Sequence, residues 1–282
     1  MQTPPRKRLD LLSRIFVALA LVFVLVGWLI NTPPGVFGKL NAIGYAVCHQ
    51  IPERSFPLGA ERHSPLCARC SGMYVGAVIG LAFQSLTAWK RSAMPPWYVL
   101  VVLGFFVAAF GVDGLNSYLY LIKQASPGAL ASLPNLYVPN NTLRLLTGSG
   151  MGLTMAAGIF PAFNATVWAD EVEQQALPGL KALALLLGIT LAADLLILTE
   201  SPLVLYPMAF LTIAGVLLLL TMVYTMVWVM VMRQENMFRR LGEMWLPLLA
   251  GFTIALLQIA AIDALRFWGT GTWEPFSFSV RR

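Results

Sequence analysis

The chain has 282 residues, 58% of them hydrophobic and only 11% charged, and its mean hydropathy is +0.72. Soluble domains carry about 25% charged residues, so this composition excludes an ordinary soluble domain and indicates a protein of the lipid bilayer. The net charge of +6 does not indicate a nucleic-acid partner, because the basic residues lie at the ends of apolar segments and in one loop.

Seven apolar segments are long enough to cross a membrane, which takes about 20 residues at about 1.5 Å each. They are residues 11–30, 67–88, 97–121, 141–163, 179–199, 203–232 and 245–266. The first is longer than the apolar core of a cleaved signal peptide, so we interpret it as a retained helix. The predicted fold is all-α: a polytopic transmembrane helical bundle of about seven spans, forming a single membrane domain over residues 1–282.

Two connections are longer than the others, residues 31–66 and 122–140. Within the first, residues 35–47 are too few to span, and we predict a short interfacial or re-entrant helix there. The second is rich in Pro, Ser and Asn and ends in Asn140-Asn141, which can cap the fourth spanning helix.

Basic residues in the connections set the expected orientation. One group lies before or at the start of the first span, or follows the second and sixth spans: Arg6, Lys7, Arg8, Arg14, Lys90, Arg91, Arg233, Arg239 and Arg240. Seven spans put this group on one side, which we expect to be cytoplasmic. The other side carries Lys39, Arg54, Arg62, Lys123, Arg281 and Arg282, several of them in a loop where they can have a role of their own. We predict a plasma or inner membrane protein with a cytoplasmic N-terminus and an extracytoplasmic loop 31–66.

Every cysteine and histidine of the chain lies in the stretch from Cys48 to Cys70. Cys67 and Cys70 are one helical turn apart, and Cys48 with His63 or His49 could complete a tetrahedral set. Zinc accepts such Cys3His sets at about 2.0–2.3 Å per ligand. A structural zinc ion would attach the loop to the second span. A catalytic one would keep a position open for water, with the spare histidine as general base.

Thiol redox chemistry is the alternative for the same cysteines. Cys67-Ala68-Arg69-Cys70 is a C-x-x-C motif at the start of a helix, where the helix dipole and Arg69 favour a thiolate. Cys48 could be the exchange partner, and a membrane quinone could accept the electrons. A third possibility is that the cysteines pack as small hydrophobic residues, which would have to hold for each of them separately.

Polar residues inside the predicted spans indicate a shared cavity, because charge within a membrane is costly. Asp113 and Asn116 lie on one helix face, and Arg144 begins the next span. The alternative is interhelical pairing, such as Asp113 with Arg144. Small residues at every fourth position allow close helix packing, which would bring Arg144 near the Cys67–Cys70 turn: Gly72, Gly76 and Gly80 in one span, and Gly148, Gly152 and Ala156 in another.

These residues resemble the signature of a prokaryotic membrane-protein family, the domain of unknown function 2085. The resemblance lies in Cys48-His49-Gln50, Pro52, Arg54-Ser55-Phe56, Cys67-x-Arg69-Cys70-x-Gly72-x-Tyr74, Asp113-Gly114, Asn116 and Arg144-x-x-Thr147-Gly148. It covers residues 45–160 and implies no reaction. It does imply that the polar and thiol side chains of this list belong to one site.

The sequence therefore predicts a membrane-embedded enzyme with a Cys/His metal centre, zinc or a similar metal, at the mouth of a polar cavity. The expected metal ligands are Cys48, His63, Cys67 and Cys70, and the expected catalytic residues are Asp113, Arg144 and His49. The expected substrate-binding residues are Asn116, Arg54, Arg69 and Gln50. Arginines bind phosphate or carboxylate bidentately, so we expect an anionic or lipid-linked substrate. The alternatives are a thiol–disulfide and quinone oxidoreductase, a transporter or lipid-phosphate-binding protein with a structural site, and a non-catalytic subunit.

Overall fold

A computed structural model describes residues 4–59, 62–126, 128, 130 and 132–275, with the backbone alone for residues 4–10. Several basic residues on which the expected orientation depends therefore lie outside the described residues or side chains: Arg6, Lys7, Arg8, Arg281 and Arg282.

Eight α-helices make up most of the described part of the chain. They are α1 (Pro4–Asn31), α2 (Gly35–Val47), α3 (Ala68–Thr87), α4 (Trp97–Ala125), α5 (Asn141–Val167), α6 (Leu180–Ile197), α7 (Pro202–Val231) and α8 (Trp245–Thr270). All except α2 are long and apolar enough to cross a membrane. The predicted all-α membrane bundle with seven spans is thus confirmed, and α2 confirms the short helix expected at residues 35–47.

Two small sheets lie in the connections and were not predicted. β1 (Ser55–Pro57) and β2 (His63–Cys67) form an antiparallel pair in the cysteine-containing loop. β3 (Arg91–Ala93) and β4 (Val172–Gln175) pair in parallel elsewhere. Strands of three to five residues are too short to show the alternating pattern by which a strand is recognised in a sequence.

The predicted close contact of two glycine-bearing spans is confirmed for α3 and α5. A side chain at Gly72 would collide with the carbonyl oxygen of Leu145, and one at Gly148 would collide with that of Arg69. The two backbones therefore touch, as small residues permit in membrane helices. This contact fixes the start of α3, which carries the C-x-x-C motif, against the start of α5.

At the end of the bundle opposite the starts of α3 and α5, the connections between helices contact one another. Lys90 Nζ, after α3, forms an ion pair with Asp170 Oδ1 at 2.7 Å and donates to the Arg239 carbonyl oxygen at 2.8 Å. Arg239 follows α7, so the basic connections after the second and sixth spans lie together. This is the placement that seven spans require.

Candidate functional site

The three cysteines meet where three elements join. Cys48 ends α2, Cys67 ends β2 and caps α3, and Cys70 lies in the first turn of α3. Their Sγ atoms all lie within 4.8 Å of one another, and all three are free thiols. We call these residues the thiol cluster. Apolar side chains of α1, α2, α7 and α8 surround it, among them Trp28, Ile43, Ile213 and Ile259.

Hydrogen bonds to sulfur stabilise a thiolate in the cluster. The backbone N–H groups of Gln50 and Cys67 donate to Cys48 Sγ at 3.4 and 3.3 Å. The left-handed backbone at Gln50, with φ of 55°, belongs to this tight turn. Hydrogen bonding from Cys48 holds the pKa of Cys67 well below its ordinary value, and the same contact raises the pKa of Cys48 to about 12. Of these two thiols, Cys67 is therefore the one whose thiolate form the contacts within the cluster favour.

The arrangement of the sulfurs fits a metal ion. Sulfurs bound tetrahedrally to zinc at about 2.3 Å lie about 3.8 Å from one another. The three Sγ atoms lie within 4.8 Å of one another. Side-chain shifts of about an ångström would bring them to the separations of a zinc site. A soft thiolate set of this kind suits zinc or another thiophilic ion.

Neither histidine belongs to the thiol cluster, although His63 was expected to be a metal ligand. Among the described residues, the group of close potential ligands consists of the three cysteines alone. His63 is exposed and begins β2, four residues before Cys67, so the two Cα atoms are about 13 Å apart along the strand. The hairpin therefore does not bring His63 to the cluster as the predicted ligand. His49 is exposed as well, and it lines an open cavity of about 230 Å³ with Cys48 and Arg266.

Asp113, on α4, holds Arg69 in place. Its carboxylate forms an ion pair with Arg69 Nη2 and accepts from Arg69 Nε at 3.0 Å. Tyr137 Oη donates to Oδ1 at 2.6 Å, and Thr147 Oγ1 donates to Oδ2 at 3.4 Å. Asp113 is 1% exposed and both its oxygens are engaged. These contacts favour a positioning role over the predicted catalytic one, and Arg69 replaces Arg144 as the partner.

Two residues expected to bind substrate, Asn116 and Gln50, form hydrogen bonds with the backbone. Asn116 Nδ2 donates to the Tyr137 carbonyl oxygen at 3.0 Å, and its Oδ1 accepts from Leu136 N at 2.9 Å. Gln50 Nε2 donates to the Pro65 carbonyl oxygen at 2.8 Å and to a carbonyl of α2 at 3.0 Å. Asn116 thus fixes the connection before α5, and Gln50 fixes β2 to α2.

Arg54 and Arg144 line a common cavity of about 280 Å³. Its other polar lining residues are Glu53, Tyr120 and Gln124, and we call it the arginine cavity. Burial and the nearby charge of Arg69 lower the pKa of Arg54. The structure therefore brings both arginines together, as expected, beside the loop that carries the thiol cluster.

Sequence reasoning missed two residues that contact this region. Tyr137 lies in a connection whose composition gave no sign of a hydrogen bond to Asp113. Arg266 of α8 donates to the carbonyl oxygen of Cys48 at 2.7 Å. Asp263, one turn earlier in α8, accepts from Trp28 Nε1 at 2.9 Å. The signal for Arg266 was its charge within a span, which usually marks an interior partner.

Comparison with known proteins agrees with the motif. Residues 48–157 match the family described as "Predicted membrane protein (DUF2085)", which confirms the predicted resemblance. An uncharacterized protein of Methanocaldococcus jannaschii is 28% identical over 126 residues, covering 44% of this chain and 68% of that protein. An uncharacterized protein of Methanothermobacter thermautotrophicus is 29% identical over 110 residues, which cover 39% of this chain and 81% of that protein. No solved structure matches the chain. The family match includes the thiol cluster, Asp113 and Arg144, and its description states no reaction.

Proposed function

We propose that this multi-pass membrane protein is a membrane-embedded enzyme whose thiol cluster holds a zinc-like metal ion beside the arginine cavity. The observation that carries the proposal is the convergence of three sulfurs within 4.8 Å at the junction of α2, β2 and α3. A disulfide uses two sulfurs, whereas three convergent sulfurs match the three protein ligands of a zinc ion that keeps one position open. The apolar shell around the cluster would keep bulk water away from three of the ligand positions.

The proposed metal centre also organises its surroundings. Cys48 and Cys67 bracket the loop that carries Arg54, so a bound ion would fix both ends of that loop. Arg69 lies between two of the ligands, and its ion pair with Asp113 holds the turn against α4. These residues are positioning residues in the proposal. We also propose that the cluster and its loop lie on the extracytoplasmic side of a plasma or inner membrane, because the distribution of basic residues favours a cytoplasmic N-terminus.

A zinc ion with three protein ligands keeps a fourth position for water or substrate, where it can act as a Lewis acid. His49 follows Cys48 directly and lines the adjacent open cavity, so it is our candidate for proton transfer. Arg54 and Arg144 would bind the anionic part of an amphipathic substrate.

Metal analysis of the purified protein tests the proposal. We expect about one zinc-like ion per chain, retained by His63→Ala and lost from Cys67→Ser, because the structure places Cys67 and not His63 in the cluster. His63→Ala is the matched control, since it removes a potential ligand from the same loop. Metal-free wild-type protein, or metal lost equally from both variants, would overturn the proposed centre.

A thiol–disulfide function is the second candidate, favoured by the low pKa of Cys67 beside two further thiols. In that case two of the thiols would form a disulfide, and their two electrons and two protons would reduce a membrane quinone to quinol. Metal-free protein that gains two alkylatable thiols per chain on treatment with dithiothreitol would support this function. Metal-bound protein whose thiols resist oxidation by a water-soluble quinone would exclude it.

A further inference from the structure

The arginine cavity contains more positive charge than its protein partners offset. Arg144 is 6% exposed, and its Nε is buried without a hydrogen-bond partner among the described residues. Its Nη1 donates to the neutral side-chain oxygen of Asn141 at 2.9 Å. Arg54 Nη2 donates to the Ser117 carbonyl oxygen, also neutral, at 3.2 Å. Neither arginine therefore has a carboxylate partner among the ion pairs of the described residues.

The two nearby carboxylates do not change this balance. Asp113 is paired with Arg69, so that pair contributes no net charge. Glu53 lines the cavity but is exposed to solvent, where a charge is screened. Burying a guanidinium without a counter-charge is costly, and an anion bound beside Arg144 would offset that cost.

The surroundings of the cavity favour an anion as well. Arg144 lies in the first turn of α5, whose amino end carries the positive end of the helix dipole. Tyr120 and Gln124, from the end of α4, add neutral hydrogen-bonding groups to the wall. The volume of about 280 Å³ is enough for a headgroup but not for a whole lipid.

Phosphate matches this donor set better than carboxylate does. The two guanidiniums come from different elements, a loop turn and α5, and each can present a pair of parallel N–H groups. A carboxylate can satisfy one such pair, whereas a phosphoryl group has enough oxygens to accept from two arginines at once.

We infer that the arginine cavity binds a phosphate-bearing headgroup between Arg54 and Arg144. This inference specifies the substrate class within the proposed function, but it depends on the arginines and not on the metal. The phosphate could belong to a lipid or to a free phosphate ester, and both sources share the chemistry that the cavity recognises.

Binding to the full-length protein in detergent tests the inference. The probes are short-chain phosphatidate, glycerol phosphate and a short-chain fatty acid, measured by calorimetry at fixed salt. We expect phosphate binding that weakens roughly 10- to 100-fold in Arg54→Gln and in Arg144→Gln, the loss expected for one charge-assisted contact. Tighter binding of phosphatidate would identify a lipid source, and equal binding of glycerol phosphate would identify a free ester.

Arg62→Gln is the matched control, because Arg62 lies in the same loop, is exposed, and does not line the cavity. It should leave binding within about twofold, since an exposed charge contributes little. Phosphate binding that persists in the Arg54→Gln/Arg144→Gln double variant, equally tight fatty-acid binding, or no phosphate binding by wild type would each overturn the inference. Metal content is measured on the same samples: a metal-free protein that binds phosphate refutes the metal centre alone.

Discussion

Asp113 is a buried carboxylate that joins several parts of the candidate site. It receives hydrogen bonds from Arg69, Tyr137 and Thr147, and it joins α4 to the turn between Cys67 and Cys70. The sequence identified Asp113 because charge is rare inside a span. It could not identify the partner, because Arg69 and Arg144 both offer the opposite charge.

Removing this carboxylate leaves Arg69 without its counter-charge. We expect Asp113→Asn to lower the free energy of unfolding by about 3 kcal/mol, as for other buried pairs that lose one partner. Denaturant unfolding in micelles gives the value. Asp170→Asn breaks the ion pair between Lys90 and the carboxylate of Asp170, which is 55% exposed, and should destabilise the protein much less because solvent screens the pair. Equal losses in the two variants would contradict this account.

Tyr137 offers a test with a defined pH dependence. Partial burial, together with its hydrogen bond to Asp113, raises the pKa of Tyr137 from 10.0 to about 12. A raised folded-state pKa contributes stability that is fully present below pH 10 and is lost as the pH rises through about 12. Tyr137→Phe should therefore lower the free energy of unfolding by about 1–2 kcal/mol below pH 10, and its difference from wild type should shrink as the pH rises towards about 12. A difference that stays constant over this range in denaturant unfolding would contradict the assignment.

At the scale of elements, α3 and α5 form the rigid frame of the site. The glycine stripes predicted this contact because spacing along a helix fixes which residues share a face. The cysteine loop was less predictable. Its hairpin depends on β1 and β2 pairing across residues 58–62, and this pairing carries His63 away from the cluster. Proximity in sequence to Cys67 was therefore a poor guide to ligation.

Two glycines of α5 allow a direct test of the helix contact. A Cβ atom at Gly148 would collide with the Arg69 backbone, whereas one at Gly158 would meet nothing within 4 Å. We expect Gly148→Ala to destabilise the protein by about 1–3 kcal/mol and to reduce metal content, because the start of α3 must move. Gly158→Ala should be neutral or slightly stabilising. Thermal unfolding and metal analysis of both variants would decide, and two equally stable variants would contradict the tight contact.

At the scale of the whole molecule, helices outside the family match complete the site. The family match ends at residue 157, yet α7 and α8 supply much of the apolar shell of the thiol cluster, and Arg266 holds the Cys48 carbonyl. Composition was enough to predict a membrane bundle and its spans, because apolar length is a strong signal. It could not predict contacts such as that of Arg266, which join residues far apart in the chain.

The orientation of the bundle in the membrane is predicted from its basic residues. Basic residues on the cysteine side of the bundle are partly engaged in the protein: Lys39 Nζ donates to the Thr32 carbonyl oxygen at 3.0 Å, and Arg54 donates to Ser117. Because these basic residues have partners within the protein, they are weaker evidence against a cytoplasmic N-terminus than their number suggests. We expect an impermeant maleimide to label Arg62→Cys in intact cells, above the wild-type background, and not to label Glu235→Cys. The reverse pattern would invert the topology.

X-ray absorption at the metal edge of the purified protein shows whether three cysteines hold a metal ion. We expect a first shell with three sulfur atoms at about 2.3 Å, the distance of zinc–thiolate bonds. Cys48→Ser and Cys70→Ser should each remove one sulfur or abolish binding, as expected for cluster members. A metal-free protein, or a bound metal whose first shell contains only nitrogen and oxygen, would contradict the proposed centre.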